Sequence, residues 1–146
     1  MEKHQILIRL SESKHTKFGK EDFKNQSYPQ KVFSAIWSLE SEVNNGGFSQ
    51  YFINSSAETA FFIVEALTAI GALNTAKICK KAIEEAFPES LPETDTEISK
   101  LALEFNEYTI ERLDELDGEF FNYPDNLTDL LFDFVKKYPE EFGLIE

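Results

Sequence analysis

The chain has 146 residues, 42% hydrophobic and 14% aromatic, with 14 Phe. This suits a single domain with a packed core and excludes a chain kept disordered by low hydrophobicity. The lone Cys79 excludes an internal disulfide framework, and with both histidines remote from it in sequence no Cys/His metal site is expected.

The apolar run in MEKHQILIRL is too short for a signal peptide. The longest apolar run, residues 60–73, is interrupted by Glu65 and is shorter than a membrane span. The expectation is a soluble protein of a reducing cytoplasm, with no membrane association. The formal net charge of −13 is unevenly placed. Residues 1–83 carry 8 acidic and 10 basic side chains, and residues 84–146 carry 19 acidic and 4 basic ones. Such a surface repels phosphates, so direct nucleic-acid binding is not expected. Two readings of the excess stand: solubility alone, or attraction of a basic partner.

In chain order, residues 1–27 form an N-terminal arm, irregular or with a short strand. Ile6, Ile8 and Leu10 alternate as in a strand, but no second strand is evident to pair with it. Lys14, Lys17, Lys20 and Lys24 make the next part basic. The helical domain, 28–146, opens near Tyr28, with Ser27 as cap and Pro29 in the first turn. Val32, Ile36, Leu39 and Val43 recur at helical spacing. That helix stops at Asn45-Gly46-Gly47, because glycine takes the positive φ a helix end needs. A short helix over 48–53 follows.

Ser55-Ser56-Ala57-Glu58 fits a capping box for a helix over about 56–70. Being apolar around most of its circumference, this helix is expected at the centre of the bundle. Gly71 ends it, and Asn74 caps another helix running to about Ala86. Pro88 and Pro92 mark a loop. Thr94-Asp95-Thr96-Glu97 is a second capping box, opening one long helix that ends near Asp117-Gly118. A last helix runs from Leu127 to Tyr138, stopped by Pro139. The expected fold is an all-α, single-domain bundle of about five or six helices with an irregular N-terminal arm.

On a wheel of about 100° per residue, the long helix over 96–117 has two faces. Ile98, Leu101, Ala102, Phe105, Tyr108, Thr109, Leu113 and Leu116 make a core face. Glu104, Glu107, Glu111, Asp114 and Glu115 share another arc with little interleaved lysine, although like charges one turn apart weaken a helix. Asp125, Asp129 and Asp133 extend the patch from the last helix. Carboxylates repeating every turn are a crude counterpart to phosphates spaced about 3.4 Å along a DNA strand. These residues form the candidate partner-binding surface. Leu103 and Ile110 lie on a third arc, facing either a neighbouring helix or a second copy.

Signatures of catalysis are thin. No phosphate loop, nucleophile elbow, metal-binding helix or dinucleotide fingerprint is present, and no metal or cofactor is expected. His4 and His15 fall in the arm and read as solvated; Cys79 reads as an inert buried thiol. The remaining polar constellation is LESEVNNGGFSQYFIN, residues 39–54. Asn44, Asn45, Gly46, Gly47, Phe48, Gln50, Tyr51 and Asn54 are read as a structural corner, with the amides satisfying backbone groups at helix ends and the aromatics anchoring it. The competing reading is a small polar ligand pocket. Amides supply neither a nucleophile nor proton transfer near neutral pH, so no catalytic residue is assigned.

EVNNGGFSQYF, with the alanine-rich AETAFFIVEALTAIGAL after it, resembles the signature of the DNA-mimic-protein (DMP) family, a bacterial domain family of mostly uncharacterised members. The likeness covers about residues 28–117. It implies an all-helical fold, a homodimer, and imitation of DNA by surface carboxylates that occupy the DNA-binding face of a regulator or other basic protein. Two alternatives stay open: an immunity-type inhibitor of a basic toxin, and a small-ligand protein or enzyme built on the corner of Asn44 to Asn54.

Overall fold

The computed structural model describes residues 2–12 and 21–143. Among these there are eight α-helices and no strand. The helices are α1 (Lys3–Ser11), α2 (Tyr28–Ile53), α3 (Ile63–Ala69), α4 (Leu73–Ala86), α5 (Asp95–Ala102), α6 (Glu107–Phe121), α7 (Leu127–Lys136) and α8 (Pro139–Phe142). The all-α class is as expected; the count of five or six was too low, because residues 3–11 and 139–142 are helical and the long helix read over 96–117 is two.

Helix α2 is the central element. It packs against α3, α5, α6, α7 and α8 and against the 3-10 turn Ser55–Thr59. Ser27 caps it as its hydroxyl chemistry requires, accepting from the Gln30 amide while the Gln30 side chain accepts from the Ser27 amide at 3.0 Å. Its buried residues include Val32, Phe33, Ile36, Leu39, Val43, Phe48, Tyr51 and Phe52. Phe52 is a hub, with rings of Phe48, Tyr51, Phe87 and Phe105 at centroid distances of 5.3–6.4 Å. Fully burying one such side chain contributes about 1.5–3 kcal/mol.

The segment after α2 is not the central helix expected over 56–70. Residues 55–59 form a 3-10 turn without a side-chain cap, so the expected capping box is not made. α3 starts only at Ile63, burying Ile63, Ala66 and Leu67 and leaving Glu65 exposed. Gly71, at φ +85°, ends the segment as expected.

The N-terminal segment also differs from expectation. Residues 3–11 are helical, with Leu7 and Leu10, one turn apart, buried. α1 packs on α7, where Lys3 lies 3.2 Å from Asp129 and over the ring of Phe132. The apparent alternation of Ile6, Ile8 and Leu10 yields to the 3-residue spacing of the two side chains that reach the core. Lys14, Lys17, Lys20 and His15 lie outside the described residues.

Candidate functional site

Gly47 has φ +78° and ψ −177°, a conformation essentially confined to glycine. It bends α2 into two helical pieces, so the expected break falls here, although the helix resumes at once. Asp117, on α6, sits in the bend. Its Oδ1 accepts from the Phe48 amide at 2.8 Å, and a Cβ on Gly47 would lie 2.2 Å from its Oδ2. The carboxylate thus serves one of the amides freed at the start of the second piece. Burial pushes the Asp117 carboxyl above its ordinary range, against the pull of the Phe48 N–H, and nearby Asp114 pushes the same way.

The amides of the corner do not serve helix ends, as the sequence reading expected. Gln50 Nε2 and Asn54 Nδ2 both donate to Glu42 Oε2, at 2.7 and 2.9 Å, so one carboxylate ties the two pieces of α2 together. Asn44 Nδ2 donates to the Tyr123 hydroxyl at 2.9 Å, which donates in turn to Glu40 Oε2 at 2.8 Å. Tyr51 is buried and its hydroxyl pairs with Thr59, while Phe48 packs on Phe52 and Phe120. Asn45 and Gly46 are exposed.

The acidic surface is built on two helices rather than one. α5 ends at Ala102, and α6 begins at Glu107 with Asn106 as its cap, accepting from the Thr109 amide at 2.9 Å. Glu104 lies in the turn between them, out of register with the rest. Phe105 explains the turn: its ring packs 5.7 Å from Phe87 and 6.4 Å from Phe52. Of the expected core face, Ile98, Ala102, Leu113 and Leu116 are buried, but Leu101 and Tyr108 are exposed. Leu103 and Ile110 are exposed as well.

Glu107, Glu111 and Asp114 are exposed on α6. Glu115 is exposed but paired with Arg112 at 2.7 Å, and Arg112 also reaches Glu85 at 3.3 Å. α6 runs past Gly118 to Phe121, beyond the end expected for it, and this adds exposed Glu119 to the surface. Glu107, Glu111, Glu115 and Glu119 follow one another at four-residue spacing, about 6 Å per step along the axis. Two phosphate steps along one DNA strand advance about 6.8 Å. The missed Glu119 had a legible signal, since it continues the spacing of the other three.

On α7, Asp133 is exposed, whereas Asp129 is engaged locally. Its Oδ1 faces Lys3, its Oδ2 accepts from Asn126, and its amide donates back to Asn126 Oδ1. Asp129 is therefore in large part a helix-end residue. Asp125 is one entirely: its Oδ2 accepts from the Thr75 amide at 2.7 Å and the Thr75 hydroxyl at 2.9 Å, and its Oδ1 from Asn74 at 3.1 Å. It caps α4, the role expected of Asn74. Burial would raise its carboxyl, but these hydrogen bonds outweigh it and hold the pKa below the ordinary value.

Cys79 is buried, which pushes its thiol pKa far up and keeps it inert at neutral pH. Among the described residues no group of three or more His, Cys, Asp or Glu side chains is placed to hold a metal ion, and no helix is long and apolar enough to cross a membrane.

The family model described as "DMP19-like protein" matches residues 24–138. The chain belongs to the DMP19-like protein family. The match spans α2 to α7, and so includes both the Gly47 bend and the carboxylates of α6. No curated protein and no solved structure matches the chain.

Proposed function

We propose that this DMP19-like protein is an acidic protein-binding module that imitates DNA and occupies the basic surface of a DNA-binding protein, such as a transcriptional regulator. The observation that carries this reading is the row of exposed carboxylates at one-turn spacing on α6. Glu107, Glu111, Glu115 and Glu119 supply it, Glu115 sharing its charge with Arg112; Asp114 adds a carboxylate beside the row, Glu104 one in the preceding turn and Asp133 one on α7. Family membership supports the same reading. Complementary charge of this kind raises the association rate and makes binding salt-sensitive, while desolvation and fit set the affinity.

The exposed apolar side chains Leu101, Leu103, Tyr108 and Ile110 flank the α5–α6 turn and favour a homodimer through that region. Light scattering over a dilution series gives the oligomeric state, and Leu103→Glu is expected to shift it to the monomer.

Mimicry is tested by capture and competition. Wild-type protein is immobilised at low salt, exposed to an extract, and challenged with duplex DNA. A DNA-binding protein is expected to be retained and then released by the duplex. The Glu107→Lys, Glu111→Lys, Asp114→Lys triple variant, with an unchanged helical circular dichroism spectrum, is expected to retain none. Undiminished capture by that variant would sink the reading. A captured basic protein that duplex DNA cannot displace would replace it with an immunity-type inhibitor.

A further inference from the structure

Between α1 and α2, next to the start of α7, lies a cleft of about 150 Å³ lined by His4, Leu7, Trp37, Glu40, Asn44 and Thr128. Sites for drug-sized ligands start at about 300 Å³, and a water occupies about 30 Å³ of liquid. The cleft is therefore the size of one side chain rather than of a metabolite.

Its polar end is Glu40, held by the Asn44–Tyr123–Glu40 hydrogen-bond chain. Among the described residues Tyr123 is the one hydrogen-bond donor to this carboxylate, and no lysine or arginine forms an ion pair with it. Burial pushes the Glu40 pKa up, against the pulls of Tyr123 and His4, so its charged form lacks full compensation. Tyr123 is the one non-glycine with positive φ among the described residues, at +46°. Left-handed backbone costs a residue other than glycine about 1–3 kcal/mol and gathers at functional sites. Here it delivers the hydroxyl that aims Glu40.

The flank is aromatic. Trp37 stacks on Phe33 at 5.6 Å and 10°, and meets the exposed His4 ring at 6.3 Å and 30°. A half-buried carboxylate beside an aromatic flank suits a flat, weakly hydrated cation. The guanidinium of arginine has that form, whereas the ammonium of lysine is a compact, strongly hydrated point charge. Thr128 lines the cleft one residue before Asp129, which is paired with Lys3 at 3.2 Å.

We propose that this cleft is the socket for one arginine side chain of the protein partner, its guanidinium on Glu40 and alongside Trp37 and His4. The inference rests on the acidic-surface reading, since it needs a basic partner, and it gives that partner a specific anchoring residue. Anchors of this kind dominate interface energetics.

Trp37 is the chain's only tryptophan, so its fluorescence reports on the cleft. Two lysine heptapeptides, acetylated at the N-terminus only, are titrated at low salt, one with a single central arginine and one with lysine throughout. The arginine peptide is expected to shift Trp37 emission saturably and to bind about fivefold more tightly. Glu40→Gln keeps an acceptor for Tyr123, and is expected to abolish that preference, bringing the arginine peptide down to the affinity of the all-lysine one. Equal affinities in wild type, or a preference that survives Glu40→Gln, would overturn the socket. If the all-lysine peptide still binds and the α6 triple variant loses it, the acidic-surface reading stands without the socket. If neither peptide binds wild type at low salt, both fall.

Discussion

Two glycines on neighbouring helices respond oppositely to the same added methyl group. At Gly47 an alanine meets φ +78° with extended ψ and a carboxylate oxygen 2.2 Å from its Cβ. The backbone term alone costs about 1–3 kcal/mol, and displacing Asp117 forfeits a charge-assisted bond to the Phe48 amide worth about 1.5–3 kcal/mol. Gly47→Ala is therefore expected to destabilise by about 3 kcal/mol or more, a large part of the typical 5–15 kcal/mol of a domain. Gly118, inside α6 at ordinary helical φ, has nothing within 4 Å of its Cβ position. Gly118→Ala is expected to stabilise by about 0.5–1 kcal/mol through helix propensity. Urea unfolding midpoints check both, and a Gly47→Ala variant as stable as wild type would remove the bend from the list of fold determinants. The positive φ at this corner was legible from Asn45-Gly46-Gly47. Its partner, Asp117, was not, because nothing local in the sequence ties residue 47 to a carboxylate 70 positions on.

Helix boundaries divide in the same way between local and distant causes. Ser27, Thr94 and Asn106 each cap from their own chain neighbourhood, and the first two were readable for that reason. Asn106 carried the same signal, but Phe105 continued the apolar period across the turn and masked the break. At α1 the short apolar segment allowed both period-2 and helical readings, and packing on α7 decided it. α4 begins at Leu73, ahead of Asn74, because its cap arrives from the α6–α7 connection. Asp125 gives this amide end a charge-assisted acceptor and favourable alignment with the helix dipole. Asp125→Ala is expected to destabilise by about 1–2 kcal/mol, whereas Asn74→Ala, which removes only the 3.1 Å contact, costs less. Thermal melts of the two variants rank them, and a larger loss from Asn74→Ala would return the capping role to Asn74. The candidate surface was legible in composition and in the spacing of Glu107, Glu111 and Asp114. The engagement of Glu115 and Asp129 was not, since it depends on Arg112 and Lys3.

For the whole molecule, a net charge of −13 with 19 acids in the last 63 residues makes folding compete with self-repulsion. Three carboxyl groups register burial in the fold most clearly. Burial raises Glu40 against the pulls of Tyr123 and His4, and raises Glu58 with help from Asp95 and Asp22 against Lys24. It raises Asp117 as well, partly offset by the Phe48 N–H. A carboxyl with a raised folded pKa takes up its proton in the folded state before the unfolded chain does, whose carboxyls titrate near about 4. Stability then rises as pH falls from 7 through the folded values. Asp125 runs the other way: its folded pKa is lowered, so its contribution is present above the unfolded value and is lost as pH falls through the folded one. The two windows are separate, and the fold is expected to gain stability as pH falls from 7 to about 4.5, then to weaken in stronger acid. Moderate salt should raise stability at pH 7 by screening the repulsion, while leaving most of the rise that comes from burial. The combined variant Glu40→Gln, Glu58→Gln, Asp117→Asn is expected to flatten the profile between pH 7 and about 4.5. Urea unfolding at both pH values, at low and moderate salt, separates the causes. A wild-type profile already flat at moderate salt would mean that the acidic surface, and not these three half-buried sites, sets the pH response.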